Sequence, residues 1–240
     1  TRGDQRGRTE RGLIVDLFRL TRTYRSAKRL QQIINVFIKH GFGRIIDQIH
    51  LGRYIPFRKR IKSFGQWPQL KGPTVPERLR IAFEELGPSF IKLAQILSSR
   101  PDMVTAPFAN EFKKLQDEVP PFTVEEAKQI IEEELKTPLG SLFLDFKDRP
   151  VAAASIAQVH YARLIDGNRV IVKVQRPGIR EQIETDITII TAIARLLDRY
   201  VPESRFFNPI AMVDEFSKTV RRELDFIGEA RNCSRFKRNF

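Results

Sequence analysis

The chain has 240 residues, 41% of them hydrophobic and 30% charged, which is enough apolar content for one large folded domain or two small ones and too much for a disordered tail. A lone cysteine, Cys233, excludes a disulfide framework or a cysteine metal cluster and fits a reducing compartment, while His40, His50 and His160 stand at no metal-ligand spacing. The net charge of +13 is uneven: residues 1–62 hold 16 Lys and Arg against 4 Asp and Glu, a net of +12, and the remaining residues hold 26 against 25.

From the front, residues 1–12 are Arg- and Gly-rich and read as disordered. Leu13–Leu20 and Leu30–Ile38 read as amphipathic helices. In the second, Leu30, Ile33, Ile34, Phe37 and Ile38 recur at helical spacing, and Gly41 is a natural stop. Gly52 to Gly72, with Pro56 and Pro68, reads as a linker. Pro76 opens a helix striped by Leu79, Ala82, Phe83 and Leu86, which Gly87-Pro88 breaks before a second helix to Ser99. Thr123 with Glu126 is a capping box for a helix through Leu135. The period then changes: Ser155–Leu164 and Arg169–Gln175 alternate as strands joined by Ile165-Asp166-Gly167-Asn168, a hairpin signal. Two long helices follow, Ile179–Tyr200 and Asn208–Arg231, the latter capped by Asn208 with Pro209 in its first turn. No run approaches the roughly 20 apolar residues of a spanning helix, and no signal peptide is visible. The order predicts an α+β chain in four segments: a basic segment 1–62, a linker 63–75, a helical block 76–137, and a mixed part 138–240.

Four features sit awkwardly in a plain core-and-surface reading. Lys173 interrupts the β-branched run Val170–Val174, so it either faces water from an edge strand or meets a carboxylate. Ala152, Ala153, Ala154 and Ser155 put small side chains just before a strand, as a tightly packed loop or one that lets a ligand approach its backbone. Lys92, Gln95 and Ser99 form a thin polar stripe on an otherwise apolar helix, either an ordinary edge or groups aimed at a buried partner. Glu223, Asp225 and Glu229 interrupt the apolar stripe of the last helix, with Asp225 and Glu229 sharing a face. Pairing of Lys173 with Glu229, and of Lys92 and Gln95 with Glu223 or Asp225, is the expectation that would give these residues one cause.

Taken together, these segments resemble the UbiB-family atypical kinases, the aarF-domain or ABC-one-like proteins. Leu86–Gln95 resembles their KxGQ motif region, Ala152–His160 their alanine-rich loop, Val172–Pro177 their nucleotide-lysine strand, Glu223-Leu224-Asp225 their ExD motif, and Glu229–Asn232 the segment holding the lysine's partner glutamate. The motifs run in the family's order over residues 86–232. One departure is Ala94, where the family motif has glycine. The resemblance implies a kinase-like N-lobe, a hairpin or small sheet plus helices, preceded by an all-helical extension, with the C-lobe absent. It implies that the chain is the front part of an ATP-dependent kinase or ATPase in isoprenoid-quinone (ubiquinone) or lipid metabolism. Ala152, Ala153, Ala154, Ser155, Lys173 and Glu229 would bind ATP or ADP with magnesium, and Lys92, Gln95, Glu223 and Asp225 would be regulatory. Catalytic residues and metal ligands are expected outside these 240 residues, so the chain alone should be inactive.

The implied setting is the cytoplasmic face of a membrane, with anionic or isoprenoid lipid and quinone-biosynthesis proteins as partners. The alternative is a non-catalytic module that docks on anionic lipid or nucleic acid through the basic segment. Nucleic acid ranks below lipid, because the segment lacks the interleaved aromatics of a base-stacking platform.

Overall fold

The computed structural model describes residues 24–51, 72–100, 102–115 and 120–239. The stretch read as disordered, the helix expected over Leu13–Leu20, and the expected linker up to residue 71 lie outside the described residues. The described chain divides into two compact units, one drawn from Thr1–Leu115 and Ile183–Arg222, the other from Gln116–Gln182 and Glu223–Phe240.

The first unit is helical. Helix α1 (Tyr24–Lys39) is longer than the apolar stripe that announced it. That stripe is core: Leu30, Ile33, Ile34 and Val36 are buried, and Phe37 meets Phe42, Phe83 and Phe90 edge-on at 5.8–6.5 Å. Burying Ile33 and Ile34 stabilises the unit by about 1.5–3 kcal/mol each. The apolar face of Leu30–Ile38 is thus covered by protein. Helix α2 (Gly43–Gln48) follows. Helix α3 (Val75–Leu86) starts at a capping box, Thr74 with Glu77, and ends at Gly87, whose φ of +87° suits glycine. Helix α4 (Pro88–Ser98) and helix α5 (Ala106–Phe112) pack with α3, and Phe83 stacks on Phe112 at 5.6 Å. The sequence reading had no α5.

The second unit holds the sheet. Helix α6 (Val124–Leu135) has the expected capping box, Thr123 with Glu126. The short α7 (Leu139–Leu142) leads into β1 (Phe143–Phe146), also unanticipated. Strands β2 (Ala152–Ala153), β3 (Ala157–Leu164) and β4 (Arg169–Gln175) complete an antiparallel sheet. β3 is central: β4 pairs along one edge, and β1 and β2 share the other. The β3–β4 hairpin closes as the sequence predicts, with Gly167 at φ +89° and the Asp166 carboxylate accepting from the Asn168 N–H at 3.0 Å. Helix α6 covers one sheet face, where Ala127, Ile131 and Val174 form a buried cluster with Phe122, Phe146 and Val172 around it.

Helix α8 (Ile179–Tyr200) runs from the second unit into the first. A 3-10 turn (Pro202–Phe207) follows, and then α9 (Pro209–Glu223), whose first turn is capped by the Asn208 side chain accepting from the Ala211 N–H. The predicted single helix Asn208–Arg231 is corrected here. It breaks at Leu224-Asp225, and α10 (Phe226–Asn239) is a separate helix.

Candidate functional site

Strand pleating sorts the alanine-rich run. Ala152, Val159 and Lys173 are direct cross-strand partners, so they share one face of the sheet, opposite the face covered by α6. Ala153 pairs with Gln158 in the next row and belongs to the α6 face. Ala154 donates its N–H to the Ala157 carbonyl at 2.7 Å and closes a tight turn with Ser155 and Ile156 at its tip. The tip is buried. It is also pinned from below: the Arg176 N–H donates to the Ile156 carbonyl at 2.9 Å, and its guanidinium donates to the carbonyls of Ala154 at 3.3 Å and Pro120 at 3.0 Å. Burial lowers the Arg176 guanidinium from its ordinary value, against the opposing pull of Glu126.

Lys173 is 40% exposed at its side chain and pairs with Glu229 of α10, Nζ to Oε2 at 2.8 Å. Its ammonium also lies 4.5 Å from the Phe226 ring centroid. A carboxylate and an aromatic face thus hold one side of the ammonium while the rest stays open to water. Such a cation can accept a further anion without first losing its partner. Ser155 adds a second unfilled capacity, since its hydroxyl is fully buried and has no hydrogen-bond partner among the described residues.

A polar relay that the sequence reading did not single out runs beneath the sheet. His160 Nδ1 lies 2.8 Å from the Lys147 carbonyl, which only accepts, so Nδ1 carries the proton. His160 Nε2 then accepts from the Gln158 amide at 2.9 Å, and Gln158 Oε1 accepts from the Phe122 N–H at 3.1 Å. Both side chains are buried, and Phe146 stacks on the imidazole at 4.8 Å. Their signal in the sequence was two polar residues on the α6 face of an otherwise apolar strand.

Asp225 does not lie on a helix face shared with Glu229, as the unbroken helix required. It precedes α10, and its carboxylate accepts from the Gly228 N–H at 2.9 Å. Lys92 and Gln95 lie half-buried on α4 in the first unit, whereas Glu223 and Asp225 belong to the second. Ala94, between Lys92 and Gln95, is fully buried.

Among the described residues no group of three or more His, Cys, Asp or Glu could hold a metal ion. No helix among them is long and apolar enough to cross a membrane.

Residues 114–240 match the ABC1 atypical kinase-like domain, which is more than half of the chain. The chain belongs to the ABC1 atypical kinase-like family. Similar curated proteins carry the name probable protein kinase UbiB. That of Aeromonas salmonicida is 41% identical over 222 residues, covering 91% of this chain and 40% of its own length. That of Marinobacter nauticus is 46% identical over 213 residues, covering 89% and 39%. The chain therefore spans about two fifths of the length of these relatives. A solved structure of Rv3197 with erythromycin, from Mycobacterium tuberculosis, is 29% identical and covers 56% of this chain and 33% of its own, with a TM-score of 0.37. Within the family match fall the alanine-rich turn, Lys173 and Glu229, all in the second unit.

Proposed function

We propose that these residues are the nucleotide-gripping part of an ATP-dependent atypical kinase or ATPase. The observation that carries this reading is the Lys173–Glu229 pair, set in the same cross-strand row as Ala152 of a pinned alanine turn. Lys173 supplies a positive charge for phosphate oxygens, Glu229 holds the ammonium in place, and Ala152 keeps the backbone beside it approachable. The buried, unpartnered Ser155 hydroxyl fits a loop that gains a partner when ligand is bound. ATP, when bound, supplies the phosphoryl group. Among the described residues no group of side chains fits a metal ion, so we assign none of them to magnesium and none to the chemical step.

For the whole protein we propose a role in isoprenoid-quinone or lipid metabolism at the cytoplasmic face of a membrane, with Lys92, Gln95, Glu223 and Asp225 regulating the nucleotide cleft. The test is titration of the full-length protein with a fluorescent ATP analogue and magnesium. We expect Lys173→Ala to weaken binding at least tenfold, the loss of a charge-assisted contact of about 1.5–3 kcal/mol. Equal affinity of wild type and variant would reject the reading.

A further inference from the structure

No residue of helix α10 is fully buried and only Phe226 among its apolar side chains near the break is half-buried, so its polar ties weigh heavily in where it sits. They run to β4 and to the first turn of α8. Gln175 Nε2 and an Arg180 guanidinium nitrogen both donate to the Leu224 carbonyl, at 3.2 and 3.0 Å. A carbonyl engaged by two side-chain donors is drawn out of the helical ladder, and α9 stops one residue earlier, at Glu223. The Leu224 side chain is buried and anchors the break. The next residue, Asp225, turns its carboxylate onto the N–H of Gly228, three residues into the new helix, while its carbonyl accepts from the Glu229 N–H at 3.0 Å. This is N-cap geometry. Glu229 then returns to Lys173. Lys173 and Gln175 are alternate residues of one strand and share a face, about 7 Å apart.

We propose that Gln175, Arg180 and Asp225 form a clasp that sets the register of α10, so that Glu229 and no neighbouring residue meets Lys173. Successive helical residues are rotated by about 100°, so a slip of one position would turn Gly228 or Ala230 toward the ammonium and leave it without its carboxylate. Gly228 is part of the device. A Cβ there would lie 2.5 Å from one Asp225 carboxylate oxygen and 3.0 Å from its carbon, so any side chain displaces the cap. Asp225 is thus a positioning residue that acts through its hydrogen-bond geometry. Its charge is secondary, and asparagine at this position caps a helix equally well.

The proposal rests on the nucleotide reading only for its second readout. In the full-length protein, amide hydrogen exchange at Gly228 and Glu229 is measured without nucleotide, and affinity for the ATP analogue is measured alongside. Asp225→Ala should speed exchange about fivefold, the usual cost of a lost N-cap, and weaken nucleotide binding, while Asp225→Asn keeps the exchange rate near wild type. Gly228→Ala should mimic Asp225→Ala alone, yet add no further exchange in the Asp225→Ala background, where no cap remains to displace. An Asp225→Asn variant as impaired as Asp225→Ala would overturn the clasp, as would a fully additive Gly228→Ala. Exchange that follows the expected pattern while no variant, Lys173→Ala included, changes nucleotide affinity would support the clasp and reject the nucleotide reading.

Discussion

The Arg29 guanidinium and the Asp186 carboxylate meet in the first unit at 2.7 and 2.9 Å, with Asp186 fully buried and Arg29 donating as well to the Leu86 carbonyl. Removing one partner strands the other charge away from water. Asp186→Ala should therefore cost about 3–5 kcal/mol in urea unfolding, and the double change Arg29→Met with Asp186→Leu should cost distinctly less. Lys173 differs in kind. Its pair with Glu229 is open to water on both sides and so contributes little to folding. Lys173 has its carboxylate 56 residues away, in the stretch where the acids were noticed. The His160 relay was less legible, because a neutral histidine held by a backbone carbonyl and an amide leaves no charge pattern to read.

At the level of elements, capping chemistry was the most legible. Thr123 with Glu126 closes as the expected capping box, while the box of Thr74 with Glu77 emerges only from the structure. The Thr123 hydroxyl, and after it the Thr123 N–H, hold the Glu126 carboxyl below its ordinary value. A depressed carboxylate stabilises the fold above the unfolded value of about 4.3, and that contribution is lost as pH falls through it toward the folded value. Melting temperature measured against pH should therefore drop less steeply below about pH 5 in Glu126→Gln, whose amide keeps a cap without titrating. Thr123→Ala removes the cap at every pH, at about 1 kcal/mol. The break between α9 and α10 was not legible. Leu224 and Ile227 continue the apolar stripe of α9 without interruption, and what ends the helix is a pair of donors, Gln175 and Arg180, that lie more than forty residues earlier.

Over the whole molecule, the basic segment and the core turn out to overlap. Ile33, Ile34, Ile49 and Leu51 are buried, so removing residues 1–62 would unfold the first unit and say nothing about charge. Ile34→Ala alone should cost about 2–5 kcal/mol in the same urea measurement, since the site is fully enclosed. The membrane reading is better tested by charge. Arg58, Lys59, Arg60 and Lys62 lie outside the described residues and form the densest basic run of the segment. Changing the four to glutamine should weaken co-sedimentation of the full-length protein with anionic vesicles, at about 1 kcal/mol per charge, and leave neutral vesicles unaffected. Unchanged binding would reject a role for that run.

The sequence by itself determined what depends on neighbours along the chain: the longer helices and the β3–β4 hairpin, the Thr123–Glu126 cap and the Asp166-Gly167 turn, and which small and charged residues break the apolar rhythm. Those signals are short-range, since capping, pleating and helical periodicity each act within about four residues. It also carried the ordered motifs by which the family is recognised. Tertiary structure alone decided which apolar face is core, that residues 183–222 join the first unit rather than the sheet, and that Leu224 ends a helix. Each of these depends on groups brought together from distant parts of the chain, and no local pattern records a hydrogen bond from Gln175 to Leu224 or a salt bridge from Arg29 to Asp186.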